Sequence, residues 1–359
     1  MERKILRGSM LIGILSFVFA VVLGVWRIAL TRGFILPSIP DMFPPHGNLM
    51  VGAFLGTLII FERMFALPVK WLLWVPYIWG LSAIAIHTDL IYFKVLNFLA
   101  LFGWGIHRFI AYKTFKHLGI PLVEFLSYVV LSFALFHQNG LAGSVESALA
   151  GLSFAIAVIG VERIELTLSS EKKSAKIVYA LLIVYLLLLI LNLSLYNLPF
   201  QFVGFMLIFI GIGMIYNDPV VISAFKGSKL PQTPLHKFSR ETLLVGYFWL
   251  FLGGLALILW DFIPMQKDVV YHSIGLGFIF TMILSHAPVV LGSTLSKMPK
   301  KTPSRFLFYA FQSMTLIRIS ADLFVSNFVN LWIWSGWITG TFHFVIFIAY
   351  ILTVLKSFR

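Results

Sequence analysis

The sequence contains no cysteine. That excludes disulfides, cysteine-ligated iron–sulfur clusters, CxxCH haem attachment, zinc–thiolate sites, blue copper and any thiol nucleophile. Charge is scarce too. Only 11% of residues are Asp, Glu, Lys or Arg, against roughly 25% in a soluble chain. The soluble-enzyme motifs GxxxxGK(S/T), GxSxG, HExxH and CxxC are all missing. Any metal or haem must therefore be held by His, Met, Asp, Glu or Tyr, and the chain has nine His and 11 Met.

Apolar side chains are abundant, at 60% of 359 residues with a mean hydropathy of +0.95. A spanning helix needs roughly 20 apolar residues, so twelve would use about 240. That predicts an all-α integral membrane protein, a single polytopic domain over 1–359 with short loops. The spans are read at 9–30, 46–66, 71–88, 90–112, 119–137, 145–168, 176–195, 200–217, 241–260, 269–291, 304–325 and 331–356. The runs are continuously apolar rather than alternating, which excludes a β-barrel. The first run, Ser9 to Leu30, is too long for a signal-peptide core and reads as a retained span.

The net charge of +13 follows membrane topology rather than nucleic acid. With both termini in the cytoplasm, only Arg27, Arg32, Lys94, Lys267 and Arg318 fall on the outer side or in the outer half of the bilayer. The other 22 of the 27 Lys and Arg lie at cytoplasmic ends. Trp26, Trp79, Trp260, Trp332 and Trp334 are expected in an outer interfacial belt, with Trp71, Trp74 and Tyr112 in an inner one. The bias also suits the inner membrane of a prokaryote.

One internal echo is present. Phe61-Glu62-Arg63 ends the second span and Val161-Glu162-Arg163 ends the sixth. Four spans separate them, which fits a threefold-repeated four-helix plan and equally fits chance in a biased composition. The dipeptides are expected to be self-paired locks, with proton entry as the lesser reading. Gly253-Gly254 and Gly275/Gly277 suggest close helix packing.

Ionisable groups inside a membrane are costly and call for a reason. His46 follows Pro44-Pro45 at a helix start, and Met50 lies one α-helical turn deeper on the same face. That pair could serve a soft metal or a haem iron, or simply pack. His87, His137 and His272 lie at the outer ends of their spans, at roughly the depth of His46. His343 lies about 18 Å along its span and His286 about 25 Å along its own, each remote from a loop. Both are candidate ligands or proton-relay groups ahead of hydrogen-bonded core residues, and Ala287-Pro288 is expected to free a helical carbonyl beside His286. Arg318 has Asp322 four residues on, which gives an Arg–Asp pair or an anchor for a haem propionate. His107, His117 and His236 are expected to be cytoplasmic and solvated. The metal candidates are thus His46, His87, His137, His272, His286 and His343. No catalytic residue is assigned.

The stretches His272-Ser273-Ile274-Gly275-Leu276-Gly277, Thr281-Met282-Ile283-Leu284 and Leu291-Gly292-Ser293-Thr294 resemble the C-terminal signature of the NnrS family. The likeness continues through Pro303, Ala310, Leu316, Arg318, Ala321, Ser335-Gly336, Trp337, Phe342, Phe347 and Tyr350. The segment from His46 to Gly56 is similar to that family's first His-containing helix. Two departures stand out: Ser293 replaces a His, and His286 has no counterpart. The resemblance implies a twelve-span protein with haem b and copper, linked to nitric oxide. It points to His46 and His272 as the best-matched metal or haem positions, with Arg318 also matched. A distant architectural echo of the haem–copper oxidase large subunit, which holds haem with His on its second and tenth spans, carries no function by itself.

Three readings follow. The first is a membrane haem protein, with or without copper, that binds or processes nitric oxide or a related small molecule, or relays electrons from a respiratory donor. Its iron would be held by His46 and His272, or by His343 with one of them. The second is a transporter of a small ion or metabolite, with His286, His343 and Arg318 lining its path. The third is a structural subunit of a respiratory complex.

Overall fold

The computed structural model describes the chain except residues 1, 40–43, 87–89, 117–118, 138–139, 166–172, 196–197, 227–232, 296, 298 and 359. The apolar runs fold as helices, and no strand occurs among the described residues. Among the described residues, fourteen α-helices are found in chain order: α1 (Glu2–Thr31), α2 (Gly56–Ala66), α3 (Val75–Ala85), α4 (Leu90–Phe115), α5 (Gly119–Phe136), α6 (Val145–Glu165) and α7 (Lys173–Leu195), then α8 (Phe200–Asn217), α9 (Pro219–Lys226), α10 (Pro234–Ile258), α11 (Gln266–His272), α12 (Thr281–Leu295), α13 (Arg305–Leu323) and α14 (Val329–Lys356). Two segments wind as π-helices, Asn48–Leu55 leading into α2 and Ser273–Phe280 joining α11 to α12.

Local chemistry sets several helix ends. The Thr233 side chain caps α10 by accepting from the His236 amide at 3.2 Å, with Pro234 in the first turn. Ser304 caps α13 by accepting from the Leu307 amide at 3.3 Å. Gly33 and Gly140 turn the chain at φ +88° and +83°, conformations that side chains with a Cβ rarely adopt.

Ten helical segments among the described residues are long and apolar enough to cross a membrane. They correspond to ten of the predicted spans, and the two without a counterpart are 71–88 and 304–325. The first contains α3, whose 11 residues rise about 16 Å, half of a bilayer core. The second is α13, whose hydropathy is diluted by polar groups that it buries. Gln312, Thr315, Arg318 and Asp322 face inward on α13, while Phe306, Tyr309, Leu316 and Ile317 are exposed. The same inversion holds widely: Glu124, Asp218 and Asp322 are fully enclosed, and Phe98, Phe205 and Ile91 lie at the surface. Apolar outside and polar inside is the pattern expected where lipid is the solvent.

The chain forms two compact units. The first comprises residues 1–162 and 179–197, and the second 163–178 and 198–359. In the first, α1 packs on the π-helix Asn48–Leu55 and on α3, and α3 packs on α4. Its core centres on Tyr128, whose ring lies 4.8 Å from Trp79, 5.0 Å from Trp104 and 4.9 Å from Phe154. Trp79 is therefore a core residue, fully buried, and not the interfacial residue expected from its place near a span end. Trp26 and Trp334 are exposed, as the belt requires, and so is Trp71.

In the second unit, α10 packs on α8 and on the π-helix Ser273–Phe280, and α13 on α14. Three of the glycines expected at close packing, Gly253, Gly254 and Gly277, are tightly enclosed. A Cβ on Gly253 would lie 2.7 Å from Ile274, one on Gly254 2.8 Å from Ile208, and one on Gly277 2.5 Å from the Trp249 ring.

Candidate functional site

His46 stands just before the first π-helix. Its Nδ1 lies 2.8 Å from the Ala20 carbonyl of α1. A carbonyl only accepts, so Nδ1 carries the proton and Nε2 the lone pair. Gly24 makes this approach feasible, because a Cβ there would lie 2.6 Å from Nδ1. Sequence reasoning missed Gly24, which nothing but the fold brings to His46. Met50 is buried inside the π-helix. There the hydrogen bonds close at i→i+5, so α-helical spacing no longer sets the face that Met50 shares with His46.

Buried side chains hydrogen-bond to and from this π-helix and the residue that follows it. Trp79 Nε1 donates to the Gly52 carbonyl at 2.9 Å, and the Tyr128 hydroxyl donates to the Gly56 carbonyl at 2.7 Å. Asn48 Oδ1 accepts from the Leu141 amide at 2.7 Å. His137, at the end of α5, places Nδ1 2.8 Å from the Ser147 hydroxyl. His87 and His117 lie outside the described residues.

At the far end of α2, the Glu62-Arg63 dipeptide reaches beyond itself. Arg63 pairs with Glu124 of α5, and Arg108 of α4 pairs with the same carboxylate. Glu124 is wholly buried and needs its cations close. His107 corrects a second expectation. It is fully buried, with Nε2 donating to the Leu67 carbonyl at 2.9 Å and Nδ1 facing the Arg108 guanidinium. Trp104 stacks on His107 at 5.7 Å and lies under Arg108 at 4.2 Å. His236 is half-buried at the start of α10.

In the second unit, Arg163 binds Asp218 through two parallel hydrogen bonds, Nε to Oδ2 at 2.8 Å and Nη2 to Oδ1 at 2.9 Å. Asp218 also accepts from the amides of Val220 and Val221 and from the Tyr247 hydroxyl. Arg163 Nη1 donates to His286 Nε2 at 2.6 Å, and His286 Nδ1 donates to the Met282 carbonyl at 2.9 Å. A guanidinium only donates, so His286 sits there as neutral imidazole with both nitrogens engaged. That arrangement suits a structural network better than a metal ligand. It also explains why a His is tolerated at that depth.

His272 closes α11 immediately before the second π-helix, with Nδ1 2.7 Å from the Asp268 carbonyl. Among the described residues, Asp268, His272 and Asp322 form the one trio of metal-capable side chains whose ligand atoms lie within 4.8 Å of one another. Arg318 joins both acids, at 3.2 Å from Asp322 and 3.4 Å from Asp268. The expected Arg–Asp pair is thus formed, and Asp268 adds to it. His343 is buried with Nε2 3.0 Å from the Thr315 hydroxyl and its ring edge-on to Phe311 at 4.6 Å. Gln312, one turn along α13, bridges Trp249 Nε1 and the Thr281 hydroxyl, each at 2.8 Å.

The carbonyl that Pro288 was expected to free is that of Leu284, four residues back. The fully buried Tyr350 donates its hydroxyl to it at 2.8 Å.

No curated protein and no solved structure matches this chain. A family model described as "Domain of unknown function (DUF8744)" matches residues 7–356. Spanning nearly the whole chain, that match places the protein in the DUF8744 family.

Proposed function

We propose that this is a multi-pass membrane haem protein, NnrS-like, with His46 in the first unit and His272 in the second each taken by itself as a candidate ligand histidine. One observation carries the reading. Each of these residues stands at the mouth of an eight-residue π-helix with Nδ1 tied to a backbone carbonyl. Long π segments are rare and concentrate at functional sites. A carbonyl on Nδ1 is the usual orienting contact of a metal-ligating His, leaving the lone pair on Nε2. The donor set fits haem b, and Asp268 and Asp322 beside His272 would also suit copper or another divalent metal.

A haem with an open iron position binds a diatomic gas such as nitric oxide, and one with two His ligands relays electrons. The chain's part is to fix its imidazoles. Ala20 and Gly24 set His46, and Asp268 sets His272. In the electron-relay form of this reading, a respiratory electron donor is the partner. The Lys and Arg bias supports cytoplasmic termini in a prokaryotic inner membrane, and the apolar outer face of α13 supports counting it as a span, towards twelve.

A second reading, a small-ion or metabolite transporter, is favoured by the inward polar row of Gln312, Thr315, Arg318 and Asp322 on α13. Haem and copper quantified per chain in purified protein separate the two. Stoichiometric haem supports the first reading. Colourless, copper-free protein from haem-replete cells leaves the transporter.

A further inference from the structure

One end of the second unit gathers cations above an apolar seam. The segment before α13 is pinned to the end of α14, where the Lys300 amide donates to the Ser357 carbonyl at 2.7 Å. Lys301 and Lys356 each stand one residue from that bond. The start of α10 lies at the same end. Its Glu241 pairs with Arg305 of α13 at 3.2 Å, and the Phe238 and Phe308 rings lie 6.0 Å apart. The starts of α10 and α13 and the end of α14 thus share one rim.

That rim is one-sided in charge. It carries Lys237, Arg240, Lys301, Arg305 and Lys356 against Glu241. Lys237, Lys301 and Lys356 are exposed, and none of the three has an ion-pair partner among the described residues. The Arg305–Glu241 pair is itself exposed and therefore weakly held.

Just inside the rim, the neighbouring helices α13 and α14 present large apolar side chains outward. Phe306 and Tyr309 are exposed on the first, and Leu352 and Leu355 on the second. Cations at the helix ends with uncovered apolar groups a turn below match the two halves of an anionic phospholipid. Its phosphate meets the cations in charge-assisted contacts, and its acyl chains lie on the seam. A zwitterionic lipid complements the seam without the excess charge, and a soluble acidic partner complements the rim without the seam.

We propose that this end of α13 and α14 seats an anionic phospholipid of the surrounding leaflet, with Lys301 and Lys356 on its phosphate. The seat goes beyond the haem reading and needs no cofactor.

The test uses full-length protein in mixed phosphatidylcholine–phosphatidylglycerol nanodiscs, with native mass spectrometry counting the lipids that stay bound. The wild type is expected to retain phosphatidylglycerol in preference to phosphatidylcholine. Each lysine at such a surface contributes about fivefold in affinity, so K301Q/K356Q should bind phosphatidylglycerol about 30-fold more weakly. K301R/K356R keeps both charges and should retain the lipid, which separates lost charge from lost fold. K94Q, at an exposed lysine of α4 in the first unit, should behave as the wild type. Equal retention of the two lipids by the wild type overturns the seat. So does undiminished phosphatidylglycerol in K301Q/K356Q, its loss in K301R/K356R, or an equal loss in K94Q. Excess inorganic phosphate should leave the lipid in place, and displacement by it would overturn a lipid as the occupant.

Discussion

Arg163 and Asp218 form a bidentate, buried ion pair, with Nε–Oδ2 at 2.8 Å and Nη2–Oδ1 at 2.9 Å. The carboxylate also accepts from two amides and from Tyr247, and the guanidinium also reaches His286. Removing one partner of such a pair leaves a buried charge and costs about 3–5 kcal/mol. D218N is therefore expected to lower the melting temperature sharply in detergent. Y247F, which removes one neutral donor, should cost about 1 kcal/mol. Comparable small losses in both variants would show that the pair is not the organiser of this end of the second unit.

Pro288 and Tyr350 act together. The proline withdraws an amide from the Leu284 carbonyl, and Tyr350 replaces it. Y350F should destabilise the protein by about 1–3 kcal/mol, because a buried acceptor is left unsatisfied. In a P288A background, an amide at 288 can serve the same carbonyl, so Y350F should cost clearly less. A double-mutant cycle of thermal or denaturant unfolding measures the difference. Strict additivity would contradict the compensation.

Three glycines separate close approach from open space. A Cβ on Gly56 would lie 2.2 Å from Trp79 Nε1, whereas one on Gly13 would lie 4.0 Å from its nearest neighbour outside its own helix, Thr57 Cγ2. G56A should cost about 1–3 kcal/mol by overpacking and shift the tryptophan fluorescence, while G13A should leave both unchanged. G24A should displace the His46 ring from Ala20. If His46 ligates haem, G24A will lower the haem content of folded protein, and an unaltered spectrum would argue against that ligand.

Much of the fold was legible because apolar runs of about 20 residues leave a helix few alternatives in lipid. The Pro288 effect was legible too, since proline always removes an amide. The choice of ion-pair partner was not. Arg63 and Arg108 converge on Glu124, which is wholly buried, and that convergence is set by packing. His107 was misread for the same reason, because Leu67 and Trp104 enclose it from distant parts of the sequence. The π-helices had no sequence template, as the period used to read helices is the α-helical one. Hence the histidines were singled out in the sequence, and the backbone that presents them was not.

The most direct test of the haem assignment is the oxidised and dithionite-reduced absorption spectrum of purified protein, with haem and copper counted per chain. The account predicts a stoichiometric b-type signal that is lost in H46A or H272A and kept in H286A, whose ring is held by Arg163. Absence of haem in the wild type, or a full signal in both H46A and H272A, would contradict it.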